Sequence, residues 1–258
     1  MILLTYRVVH STMDCARELL DSSVKLESPG AVKAIILAGE QLAGRGQRGR
    51  TWESQGTGNL YATVLITWPQ LNKRTASMVG LLAGAAAVDS ICEVHLQRGG
   101  SHEALKHLGV KWPNDVVIND RKVGGLLTEL HIRNDGNCFA AIGIGINLKS
   151  PPLNSAVAER STCLLSEHFL HTPASDQVLW FARSFNRLAR QFNLYGDESV
   201  LRSWRRWDVT TGRSYTALTE QGNIKGIANG LGPHGELSLL LADGNTVLVT
   251  TASSLSED

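Results

Sequence analysis

The chain has 258 residues, 43% of them hydrophobic and 19% charged, with a formal net charge of +1. That length and apolar content predict one large domain, or a large one with a small companion, and exclude a disordered chain. Near-neutral charge argues against bulk electrostatic binding to a polyanion such as genomic DNA.

Residues 1–10 read as a strand without the basic start and cleavage site of a secretory signal. Ser11-Thr12 offers an N-cap to an amphipathic helix over 13–26, with Ala16, Leu19 and Leu20 on one face and Pro29-Gly30 as its stop. Residues 34–38 form a short apolar strand that leads directly into Gly44-Arg45-Gly46-Gln47-Arg48-Gly49-Arg50, a loop expected to leave the edge of a sheet. Residues 60–67 are β-branched and alternating. The Ala, Leu and Gly of 75–96 predict a closely packed, buried helix. Its longest apolar run, 78–88, is shorter than the ~18 residues that span a bilayer, and the expectation is a cytoplasmic protein.

Residues 97–107 are polar and read as a loop. Short strands follow at 110–112, 116–118, 122–131 and 139–147, with turns at Pro113-Asn114, Asn119-Asp120 and Asn134-Asp135-Gly136, the pattern of a meander. Residues 150–161 lack periodicity and read as a loop. Helical spacing returns over 175–195 through Val178, Phe181, Phe185, Leu188 and Phe192, and a second helix covers about 199–207. There Trp204 and Trp207 sit among Arg202, Arg205 and Arg206; with so little net charge this reads as an amphipathic linker helix, not a nucleic-acid surface. After Gly212 come strands at 215–218, 224–229, 236–242 and 246–249, a small β-barrel with a boundary near 210. Cys15, Cys92, Cys138 and Cys163 lack zinc spacing and read as reduced thiols, and the histidines show no metal spacing either.

Two segments carry chemistry. In 44–50, three glycines alternate with arginines, so backbone N–H groups can approach an anion that guanidinium groups also hold. Gly44, Gly46 and Gly49 satisfy a GxGxxG spacing, yet no helix opens there and no acid follows at the ribose distance, so this is not a dinucleotide turn; nor does a Gly-Lys-Ser/Thr close it as a phosphate loop. The second segment, Lys111-Trp112-Pro113-Asn114-Asp115, combines a cation, an aromatic, a rigid turn and a carboxylate. Lys122, followed by Val123-Gly124-Gly125, places another cation on the opposing strand.

Together these motifs resemble biotin protein ligases. The glycine-arginine loop through Trp52, KWPND with RKVGG, and Gly143-Ile144-Gly145-Ile146-Asn147 stand in the family's order, and Ser11-Thr12 stands where the family has Ser-Thr-Asn. The resemblance implies an α+β fold: a mixed-sheet catalytic domain over 1–209, similar to class II aminoacyl-tRNA synthetases, and an SH3-like barrel over 210–258. It implies activation of biotin by ATP with Mg²⁺ and transfer to a lysine of the biotin carboxyl carrier protein of acetyl-CoA carboxylase. Nucleic acid and membrane are not expected partners, and the chain is expected to act as a monomer or homodimer. Because it starts at the catalytic domain, the resemblance implies a ligase without a repressor role.

By the same resemblance Lys122 contacts the biotin carboxylate and then the acyl phosphate. Asp115 orients the incoming amine or a metal, since a lysine nucleophile must lose a proton to attack. Lys111 takes part directly or holds Asp115 in place. Ser11, Thr12, Gln41, Gly44, Arg45 and Gly125 surround biotin; Gln47, Arg48, Arg50 and Asn147 meet the adenylate. Trp52 packs on adenine or is an ordinary core tryptophan. Residues 59–61 are expected on the pocket floor. Met13 and Gln47 depart from the family's usual Asn and Arg. The arginine loop and 150–162 are expected to close over the intermediate and exclude water. Two other readings remain: a lipoate or octanoyl transferase relative, which lacks the arginine loop and KWPND, and a non-catalytic biotin-binding module, which needs no phosphate site.

Overall fold

Alternation along the strands builds a sheet with a core on each face. The structure, a computed structural model, describes residues 1–22, 25–26, 31–54, 58–67, 73–132, 137–152, 158–219, 222–250 and 254–257. Its strands β1 (Ile2–Val9), β2 (Val32–Gln41), β3 (Leu60–Thr67), β4 (Leu108–Lys111), β5 (Asp115–Ile118), β6 (Arg121–Ile132) and β7 (Cys138–Ile146) form one sheet in the order β1-β2-β3-β7-β6-β5-β4. Only β1 and β2 are parallel; the remaining neighbours are antiparallel. In β2, Ile35 and Leu37 enter the larger core while Ala34 and Ile36 enter the smaller, as a period of two requires.

The larger core is filled by α2 (Lys73–Gln97), α3 (Ala174–Tyr195) and α4 (Asp197–Arg205). Small residues let α2 pack closely, and Trp204 of α4 is fully buried beside it. By length and composition 76–97 could cross a membrane, but 83% of its most apolar window is buried inside the fold. The other face is covered by α1 (Thr12–Asp21), whose Met13, Ala16 and Leu20 pack on Ala34, Ile36, Leu65, Phe139 and Ala141. Ser11 caps α1, its Oγ accepting from the Met13 N–H at 3.3 Å, a contribution of about 1 kcal/mol.

Several expectations change. The first helix stops at Asp21, not 26: the Ser22 N–H donates to the Glu18 carbonyl and the Ser22 hydroxyl to that of Leu19 at 2.6 Å, while Leu26 buries outside the helix. Pro29-Gly30 and the 134–136 turn lie outside the described residues. The arginine loop does not leave the sheet edge, because β1 pairs alongside β2 and covers it. Residues 102–105 of the expected polar loop form a 3-10 turn. Asn119 and Asp120, both at positive φ, make the two-residue turn between β5 and β6.

A second, antiparallel sheet has the order β11 (Thr246–Val249), β10 (Leu237–Leu240), β9 (Gly222–Leu231), β8 (Ser214–Thr219) and β12 (Ser254–Glu257). Among the described residues β11 and β12 do not pair, so these five strands form an open sheet. It is tied to the first sheet at Trp112, whose backbone N–H donates to Thr210 Oγ1 at 2.8 Å and whose indole N–H donates to the Gly235 carbonyl at 3.0 Å.

Candidate active site

The residues of β7 explain where the cavity lies. Ile142, Ile144 and Ile146 fill the larger core, so Phe139, Ala141, Gly143 and Gly145 form the opposite row. α1 covers Phe139 and Ala141; where the row becomes glycine, space opens. A cavity of about 270 Å³ results, walled by the end of β2, the arginine loop, the KWPND turn, β6 and β7.

Its polar end is built from Ser11, Thr12 and Gln41. Gln41 Oε1 accepts from the Thr12 N–H at 2.8 Å and hydroxyl at 3.0 Å, Gln41 Nε2 donates to Ser54 Oγ at 3.1 Å, and Thr63 donates to Thr12 Oγ1 at 2.8 Å. Each bond fixes an amide or hydroxyl that could meet a polar ring. Met13 is 2% exposed, with Sδ about 3.0 Å from where a Cβ on Gly143 would stand, so this end of the cavity has an apolar floor.

The arginine loop closes as a short hairpin: Gly46 N–H to the Arg50 carbonyl at 2.7 Å, Arg50 N–H to Gln47 at 3.2 Å and Trp52 N–H to Gly44 at 2.9 Å. Arg48 and Gly49 both take positive φ. Burial, and then the charge of Arg50, pull the Arg48 guanidinium below its ordinary value. Arg45 is engaged at its base, 3.1 Å from Asp14 and 3.6 Å from Glu129, and among the described residues its buried Nε has no hydrogen-bond partner. Gly44 does not line the cavity; a Cβ there would stand 2.5 Å from the Trp52 carbonyl, so the position admits glycine because the hairpin backbones touch.

At the far end, Lys122 Nζ meets Asp115 Oδ1 at 2.6 Å and lies 5.5 Å from the Trp52 ring. Lys111 does not hold Asp115, which Lys122 already claims. It pairs instead with Glu257 of β12 at 3.2 Å and lies over the Tyr215 ring. Trp52 packs over Gly145, where a Cβ would stand 2.3 Å from the indole, and among the described residues its buried Nε1 has no hydrogen-bond partner.

The structure therefore gathers Ser11, Thr12, Gln41, Arg45, Gln47, Arg48, Arg50, Trp52, Lys111, Asp115, Lys122, Gly125 and Asn147 around one cavity. Residues 59–61 are not its floor: Leu60 and Tyr61 are buried in the fold, and the Asn59 amide holds the backbone of Lys149 and Ser150. Pro152 and Ser161 bring the expected 150–162 segment into the wall, while sequence reasoning missed Glu53 and Leu255. Leu255 and Glu257 reach the site only through pairing of β12 with β8, which no local pattern announces.

A mixed sheet with this cationic cavity defines an α+β enzyme scaffold fitted to an anionic, partly apolar ligand. Residues 5–147 match the biotin/lipoate A/B protein ligase family, and the chain belongs to it. It is 31% identical over 229 residues, 88% of this chain and 92% of the relative, to the biotin–[acetyl-CoA-carboxylase] ligase of Paracoccus denitrificans. In fold it is similar to the Aquifex aeolicus biotin protein ligase solved with biotin and ATP, at 23% identity, TM-score 0.78 and 99% coverage of both chains. It is also similar to the Leishmania major biotin protein ligase solved with biotinyl-5-AMP, at 26% identity and TM-score 0.64, covering 96% of this chain and 98% of that one.

Proposed function

We propose that this protein activates biotin with ATP to biotinoyl-5′-AMP and transfers the biotinoyl group to a lysine of the biotin carboxyl carrier protein of acetyl-CoA carboxylase. The observation that carries the reading is the single cavity joining the hydroxyl and amide end at Ser11, Thr12 and Gln41 to the Lys122–Asp115 pair and the arginine loop. A module that only binds biotin needs no cationic far end.

In this reading the ureido ring of biotin meets Ser11, Thr12 and Gln41, with Gly44 and Arg45 behind and Gly125 beside it. Lys122 draws the biotin carboxylate and the α-phosphate together, two anions that otherwise repel, and stabilises the oxygen charge that grows as pyrophosphate leaves. Arg48, Arg50 and Gln47 hold the adenylate phosphate, and Asn147 and Trp52 hold the nucleoside. In the second step Asp115 accepts from the incoming amine, while Lys111, fixed by Glu257, adds positive charge nearby.

Mg²⁺ would arrive on the triphosphate, held by waters and one or two carboxylates. Asp115 and Glu53 line the cavity, and among the described residues Glu53 Oε2 is buried without a hydrogen-bond partner. Bound there, the ion would neutralise phosphate charge.

We further propose that 1–209 forms the catalytic domain, akin to class II aminoacyl-tRNA synthetases, and 210–258 an SH3-like domain, supported by two sheets that share no hydrogen-bonded strand. The enzyme is proposed to act in the cytoplasm as a monomer or homodimer, with neither nucleic acid nor membrane as partner. ATP–pyrophosphate exchange tests the activity: dependence on biotin supports it, dependence on lipoate or octanoate alone assigns the transferase reading, and no exchange assigns a binding module.

A further inference from the structure

Lys122 stands near the start of β6, before the pairing with β7 begins at Gly124. The edge left beside it is taken by 161–164. Thr162 donates its N–H to the Lys122 carbonyl at 2.9 Å, and Ser161 bridges Lys122 in parallel. Asn147 joins the same segment: its Nδ2 donates to the Thr162 carbonyl at 3.0 Å and its carbonyl accepts from the Leu164 N–H at 2.9 Å. On the Lys122 side this wall of the cavity is attached by one isolated bridge, while Asn147 holds it from the other side.

Glu167 reinforces it. Its side chain is only 7% exposed and accepts from Thr162 Oγ1 at 2.6 Å, from Asn119 Nδ2 at 2.9 Å and from Arg121, with which it forms an ion pair. A carboxylate this buried is tolerated when its oxygens are satisfied and a cation is near. Its donors come from the β5–β6 turn, from the residue preceding Lys122 and from the segment beside it. The carboxylate thus fastens the hairpin that carries Lys122 to the 161–164 segment that holds Asn147.

We infer that Glu167 is a positioning residue for the adenylation step, setting the main chain at Lys122 and the Asn147 amide through Thr162, Asn119 and Arg121. The inference rests on the proposed ligase reading, in which Asn147 serves the nucleotide and Lys122 the junction where the biotin carboxylate meets the α-phosphate, away from the ureido end. The polar end is held by the separate Thr12–Gln41–Ser54 network, so the two ends of the cavity respond differently to loss of this carboxylate.

The test uses the full chain with Glu167→Gln, Thr162→Val and Thr162→Ser. Biotin affinity is measured by calorimetry without ATP, and kcat and KM for ATP by biotin-dependent pyrophosphate exchange. Misplacement of reacting groups by about an ångström costs up to roughly 100-fold, so Glu167→Gln and Thr162→Val are expected to lower kcat/KM for ATP by about 10- to 100-fold. Biotin affinity stays within about twofold, and Thr162→Ser, which keeps the hydroxyl, recovers most of the rate. If Glu167→Gln does not fold, the Thr162 pair carries the same comparison. Unchanged exchange in Glu167→Gln or Thr162→Val, or biotin affinity falling in step with the ATP parameters, overturns the inference. Absence of exchange in the unmutated protein overturns the ligase reading and this inference with it.

Discussion

Replacing Gln47 by arginine tests how the adenylate is held. Gln47 lines the cavity at the start of the loop's 3-10 turn, and its carbonyl accepts from the Arg50 N–H, so the backbone is already set and a side-chain change acts mainly through charge. A charged donor to a phosphate oxygen contributes about 1.5–3 kcal/mol. Arg48 is held below its ordinary value by burial first and by the charge of Arg50 second, and a third cation beside them loses part of that gain to repulsion. A net gain of about 1–2 kcal/mol corresponds to a roughly 5- to 30-fold slower release of biotinoyl-AMP. The assay is a chase: enzyme loaded with labelled biotin and ATP is diluted into unlabelled biotin and the retained label is followed by rapid filtration. Slower release in Gln47→Arg should be matched by less labelling of bystander lysines. Equal release rates for the two proteins would refute the assignment of this position to the phosphate.

Asn59→Ala removes the buried acceptor for the Lys149 and Ser150 N–H groups, and a cost of about 2–4 kcal/mol should appear as a melting temperature roughly 4–16 °C lower. Gly145→Ala puts a Cβ 2.3 Å from the Trp52 indole; a loss of about 1–3 kcal/mol in urea denaturation is expected, and combining it with Trp52→Ala should remove the excess, a non-additivity read by a double-mutant cycle. Glu257→Ala breaks partly exposed pairs with Lys111 and Arg213, so its effect on stability should stay below about 1 kcal/mol in the same denaturation. Burial holds the His131 imidazole below its ordinary value of 6.5, with Glu129 opposing the shift. The unfolded chain therefore binds this proton first: the contribution is complete above pH 6.5 and lost as pH falls toward the folded value, and His131→Asn should flatten that part of a melting-temperature profile.

What could be read in the sequence was whatever is local. The alternation at 60–67 and 139–147, the two-residue turn at Asn119-Asp120 and the small-residue helix each carry their instructions within a few residues, and the structure has them there. Both motifs of the cavity were legible for the same reason: glycines and charged groups cluster along the chain before they cluster in space. Distant pairings were not legible. β1 covers β2 through contacts about 30 residues apart, which is why the arginine loop has no sheet edge to leave. Lys111 lies 146 residues from Glu257, so nothing local points to that partner, and the sequence leaves open whether Lys111 acts directly or holds the nearby Asp115. Glu167 carried no signal, since a lone acid after Leu164-Leu165-Ser166 reads as surface until its donors are brought around it.

Trp52 gives the cavity a property beyond shape. Its indole already rests against Gly145 and beside Lys122, so a ligand that reaches those glycines exchanges one set of apolar contacts for another. Measured affinity at that end is then a difference between two occupants. Trimming the tryptophan should strengthen ligands that compete for its seat and weaken those that rest on its face.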